Sequence, residues 1–204
     1  MDQKLYVMKK ILFFSLISGF VFLQSCTIFS LHPLYHEQDL MMDPGLLGMW
    51  KDQEDGDEFV YFKKLDENMY LFRYMEGNDD DSAFVISDTV SFEAGLLKVG
   101  DHFFLDLYPY YEGNWDEADY LFRGFVPTHA FIKIEWDDDR VILQMFNYDR
   151  MKTLFEQNRI RIKHEMMEDF IVITASTDDL QRFIKKYADD PEAFDDPGVF
   201  IKME

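Results

Sequence analysis

The chain has 204 residues, with 20 Lys and Arg against 40 Asp and Glu, a formal net charge of −20 at pH 7. So acidic a surface repels phosphate backbones, which sets nucleic acid aside as a partner. Acidity can also mean disorder, but 17% aromatic residues, many alternating with polar ones, call for a packed interior.

Residues 20–26 read FVFLQSC, and Cys26 is the only cysteine. Its position suits a membrane span, a buried core strand or a processing site. Lys9 and Lys10 precede an uncharged run of 13 residues, 11–23, short of the roughly 18–20 needed to cross a bilayer core. A basic front, a short apolar run and small residues behind it form the pattern of a secretory signal peptide over residues 1–25. MKKILFF is the usual opening, and translation from Met8 already contains the whole pattern.

Leu23-Gln24-Ser25-Cys26 resembles the lipobox of bacterial lipoproteins, with Leu three residues before the Cys and the small Ser25 directly before it. The resemblance implies cleavage between Ser25 and Cys26, diacylglycerol on the Cys26 thiol, and a fatty acyl group such as palmitate on the new N-terminus. Each buried CH₂ contributes about 0.8 kcal/mol, so two or more chains anchor firmly where one is marginal. No thiol then remains for an internal disulfide. The leader removes Lys4, Lys9, Lys10 and Asp2, leaving 17 basic and 39 acidic residues and a formal −22. The expected location is the cell envelope, on a lipid anchor. Thr27 rather than Asp follows the Cys, which in a Gram-negative cell implies the outer membrane.

Residues 26–47 show no sustained period and read as a lipid-anchored tether and lead-in, with a turn at Asp43-Pro44-Gly45. One β-rich globular domain is expected over 48–204. Its strand signals are EFVYFKK (58–64), MYLFRYM (69–75), AFVISDTVSF (83–92), GLLKV (95–99), HFFLDLY (102–108), YLFRGFV (120–126), HAFIKIEW (129–136) and RVILQMFNY (140–148). Asp149 is placed to cap a short helix through Phe155. RIRIKHE (159–165) and FIVITA (170–175) look like a final hairpin. Ser176 opens a capping box, with Leu180, Phe183, Ile184 and Tyr187 in one stripe behind it. The acidic tail from Asp189 is expected to run over the surface. This pattern gives a mainly β fold, a single antiparallel barrel or half-barrel with one or two packing helices.

Two resemblances add to this reading. His32–Tyr35 (HPLY), the G-x-W of Gly48–Trp50, Phe104–Pro109 (FLDLYP) and Thr174–Phe183 (TASTDDLQRF) resemble a family of uncharacterised bacterial lipoproteins, which carries no activity to inherit. Gly48 and Trp50 also match the start of the first strand in lipocalins, and a closing helix at about 177–188 agrees with that fold. That resemblance implies an Arg covering the Trp, for which the sequence offers Arg159 and Arg161 without assigning either.

Few residues combine into a pattern that specifies chemistry. His32 and His36 have the i, i+4 spacing of a metal pair but flank Pro33 in a non-helical segment, without the Glu of HExxH. His102, His129 and His164 read as structural, the last as an ion pair with Glu165. The acidic runs at 52–58 and 78–81 lack calcium-loop spacing and suit turns. Ser176 is better used as a cap than as a nucleophile. No metal and no cofactor is therefore expected apart from the lipid on Cys26. The remaining candidate is the loop carrying Tyr110, Tyr111 and Trp115, either a recognition surface or a plug for one end of the sheet. The sequence points to a non-enzymatic envelope module that holds a partner protein or an apolar ligand. The alternative is an envelope hydrolase using paired carboxylates.

Overall fold

The computed structural model describes residues 28–54, 56–80, 83–111, 126–167 and 170–203. The leader, Cys26, Trp115 and nearly all of the expected strand at 120–126 lie outside the described residues.

In chain order the strands are β1 (Ile28–Ser30), β2 (Leu40–Met41), β3 (Gly48–Asp52), β4 (Glu58–Lys64), β5 (Met69–Asp80), β6 (Ala83–Val99), β7 (His102–Pro109), β8 (His129–Trp136) and β9 (Arg140–Met145). Helix α1 (Tyr148–Glu156), β10 (His164–Met166), β11 (Ile171–Ile173), helix α2 (Thr177–Tyr187) and β12 (Gly198–Lys202) follow. β3 to β9 form an antiparallel meander, each strand paired with the next. β12 then enters between β9 and β3, antiparallel to both, and closes an eight-stranded barrel. Closure removes the free edges that an open sheet would expose.

Alternation along the strands fills the barrel. Tyr70 and Phe72 on β5, Leu105 and Leu107 on β7, and Ile132 and Ile134 on β8 belong to one buried cluster with Trp50, Phe62 and Phe200. Phe62 meets Tyr70 and Phe72 edge-on, with ring centroids 5.8 and 5.0 Å apart. Full burial of each such side chain is worth about 1.5–3 kcal/mol.

A second core lies outside the barrel wall. Leu97, Val99, Phe104 and Phe131 alternate with the inward residues and face Met151, Leu154 and Phe155 of α1 and Leu180, Phe183 and Ile184 of α2. A side sheet extends it: β1 pairs parallel with β11 and antiparallel with the first residues of β8, and β10 pairs with β11. The far edge of β8 is thus divided, with Ala130 facing β1 and Ile132 onward facing β9.

Several elements differ from the sequence expectation. Residues 83–99 form one 17-residue strand instead of two. The lead-in is packed from Ile28 onward, with Leu34 and Leu46 fully buried. α1 is capped by Asn147, whose side chain accepts from the Arg150 N–H at 2.8 Å, and not by Asp149. The hairpin β10–β11 belongs to the side sheet, and the last barrel strand is β12, within the segment expected to lie on the surface.

Candidate functional site

One end of the barrel is sealed by the turn at 43–46. Its backbone and side-chain polar groups are matched from below: the Tyr70 hydroxyl donates to the Asp43 carbonyl at 3.0 Å and accepts from the Asp43 N–H at 2.6 Å. Trp136 Nε1 donates to Asp43 Oδ2 at 3.1 Å, and Trp50 Nε1 donates to the Leu46 carbonyl at 2.9 Å. Gly48 has φ +125°, a conformation side chains resist, which accounts for the glycine that begins G-x-W. The cation over Trp50 is Lys202 on β12, its Nζ 4.8 Å from the ring and 3.2 Å from the Gly45 carbonyl. It replaces Arg159 and Arg161, which sit on the outer side of the molecule ahead of β10.

Three of the four motif segments, HPLY, FLDLYP and the stretch at 174–183, meet on the outer wall. Asp106 faces outward from β7 yet is fully buried, because residues 31–36 cross over it. Its Oδ2 accepts from the Leu34 N–H at 2.6 Å, and its Oδ1 lies 2.6 Å from Nδ1 of His129. Burial pushes the Asp106 carboxyl above its ordinary range, against the lowering pull of His129 and of the Leu34 N–H. From the other side, Thr177 donates to the Pro33 carbonyl at 2.8 Å and Gln181 to the Leu34 carbonyl at 2.9 Å. Tyr35 covers Gly95, where a Cβ would stand 3.2 Å from the Tyr35 ring and 2.7 Å from Leu40. HPLY, FLDLYP and the start of α2 are therefore parts of one clasp.

Ser30 pairs directly with His129 across β1 and β8, so serine, imidazole and carboxylate share one face. The Ser30 hydroxyl is buried and accepts the His32 N–H at 3.1 Å, and the Tyr108 ring covers the imidazole at 4.8 Å. In this arrangement Ser30 ends a strand and His129 satisfies a buried carboxylate. Sequence reasoning missed Asp106, whose place in a regular alternation is that of a solvent-facing residue.

The other histidines also serve the framework. His36 lies 2.9 Å from Asp178 and His102 lies 2.6 Å from Asp189. His164 approaches the Ile162 carbonyl at 2.8 Å and packs on Phe155, in place of the expected pair with Glu165.

At the barrel end opposite the 43–46 turn, β7 runs out into Tyr110 and Tyr111, and β8 begins after Val126. The Tyr110 N–H donates to the Ser91 carbonyl at 2.9 Å, which continues the β6–β7 ladder past Pro109. Tyr111 and Val126 are 44% and 71% exposed, and Leu31 and Val90 near them are exposed as well. Among the described residues no helix is long and apolar enough to cross a membrane. No protein-family model, curated protein or solved structure matches this chain.

Proposed function

We propose that this chain is a lipid-anchored cell-envelope protein that acts without catalysis, holding a partner protein at the end of its barrel. FLQSC behind a complete leader carries the anchoring half of the reading, because a thiol placed there is suited to thioether formation and little else. On this reading the membrane contact is made through the Cys26 lipid, at the outer membrane in a Gram-negative cell, and no other cofactor is required.

Two features of the fold support the binding half. The barrel axis is occupied by Trp50, Phe62, Tyr70 and Phe72, all buried, which favours a partner outside the barrel over an apolar ligand within it. Tyr111, one of the residues singled out in the sequence, is exposed at one end of the barrel together with Val126, Val90 and Leu31. Isolated exposed apolar residues are ordinary, but a group that includes aromatics marks recognition surfaces. Among the described residues, the buried carboxylate Asp106 faces an imidazole and a backbone N–H and not the second acid that the hydrolase alternative calls for.

Full-length protein bearing Tyr110→Ala, Tyr111→Ala and Trp115→Ala, purified from its native membrane, should lose its co-purifying protein while unfolding at the wild-type temperature. Undiminished recovery of every companion protein contradicts the binding half and leaves the anchor untouched.

A further inference from the structure

The side sheet ends on β10, which pairs with β11 on one side and has no strand on the other among the described residues. The stretch leading into it, Arg159-Ile160-Arg161-Ile162-Lys163, alternates exposed cations with buried or half-buried isoleucines. Across a shallow groove, α2 presents Arg182 and Lys186 over a floor that includes Ile160 and Phe183. Asp179 is the acid lining this groove, and it is already paired with Arg182. Just past Lys163, Met166 and Met167 are 40% and 51% exposed. In a chain of net charge −20, this is a local concentration of positive charge next to exposed apolar side chains.

Strand register brings that edge close to the start of the described chain. Ile28 lies opposite Ile171, and Ile171 lies opposite Met166. Neighbouring strands are about 4.8 Å apart, so Ile28 and Met166 are separated by about 10 Å. Cys26 precedes Ile28 by two residues, a stretch that spans at most about 7 Å when fully extended. Acyl chains on Cys26 would draw this edge to the bilayer, while β4, four strands from β8 around the barrel in either direction, faces away.

We infer that the β10 edge is the membrane footing of the protein, a surface for anionic headgroups with Met166 and Met167 at the acyl boundary. The inference rests on the lipid-anchor reading of Cys26. A lipid surface fits better than an acidic peptide because the exposed methionines lie beside the anchor point and the cations follow along the same edge of the molecule. Basic residues next to a lipid chain are the usual second signal that strengthens membrane attachment. Glu165 shares the strip and keeps the contact at headgroup depth. Glu168 and Asp169 lie outside the described residues.

The test uses full-length lipidated protein in vesicles of phosphatidylcholine and phosphatidylglycerol. With the Cys26 sulfur consumed by lipid, a polarity-sensitive dye attaches only to an introduced thiol, Met167→Cys or, as a second position, Met166→Cys. Lys63→Cys on β4 is the comparison site. The dye at 167 or 166 should shift to the blue and be quenched by brominated acyl chains, and the dye at 63 should do neither. Charge reversal by Arg161→Glu, Lys163→Glu and Lys186→Glu should weaken the quenching several-fold, and pure phosphatidylcholine should weaken it similarly. If the edge positions are as water-exposed as 63, or all are quenched alike, while mass analysis shows Cys26 lipidated, the footing is refuted and the anchor stands. A free Cys26 in the same sample refutes both.

Discussion

Asp106 shows how far a single residue departs from its pattern. In the alternation of HFFLDLYP it occupies a position that ordinarily faces water, and it does face outward from the barrel. The partner that covers it, Leu34, is 72 residues away in sequence, a distance no periodicity reveals. Removing the carboxylate leaves the Leu34 N–H and the His129 imidazole unmatched in a buried place. Asp106→Ala should therefore lower stability by about 3 kcal/mol, whereas Asp106→Asn, which keeps a carbonyl for the Leu34 N–H, should cost about 1 kcal/mol. Urea midpoints compare the two; equal losses would deny the carboxylate its role in the clasp. The pH dependence carries a defined sign. Because the folded state raises the Asp106 value above 3.8, this group's contribution is fully present below that value and is lost as pH rises through the folded value. The stability of wild type relative to Asp106→Asn should thus improve from neutral pH toward pH about 4. Lys202 over Trp50 is a second long-range pairing of the same kind, 152 residues apart in sequence, and it stands where the lipocalin resemblance implies an Arg.

Elements were legible where the alternation was long. EFVYFKK and HAFIKIEW coincide with β4 and β8, and Ser176 caps α2 as its sequence suggests, accepting from the Asp179 N–H. Ser176→Ala should cost about 1 kcal/mol, read from the same urea titration; no change would mean that packing of Leu180 and Phe183 alone sets the helix start. β12 was not legible. GVFIK has five residues, follows Pro191 and Pro197, and sits among acids, so local signals favour a loop. It becomes a strand because β3 and β9 leave a gap of one strand width, and Phe200 fills the core from there. Deleting residues 198–204 should consequently open the barrel, with loss of near-ultraviolet circular dichroism and association of the exposed β3 and β9 edges. A tail lying on the surface would be dispensable. HPLY was legible as a motif but not as a clasp, since its contacts lie on β7 and α2.

The whole molecule consists of two cores on either side of one barrel wall, held without a disulfide. Its outside is strongly acidic, and like charges at this density oppose the compact state. Added salt screens them, so the unfolding temperature should rise between low and moderate sodium chloride; a fall would show that surface ion pairs such as Arg150–Glu192 outweigh the repulsion. Fold class and helix placement could be read from the sequence, and the closed end, the clasp and the β10 edge could not, because each joins segments distant in the chain. The proposed anchoring, by contrast, rests on the sequence alone, from Leu23 to Cys26, and the proposed membrane footing rests on it in turn. Intact-mass analysis of the protein extracted from its native membrane decides the matter. The reading predicts a chain that starts at Cys26 and carries diacylglyceryl and acyl mass. A chain that retains residues upstream of Cys26, with an unmodified thiol, would contradict it.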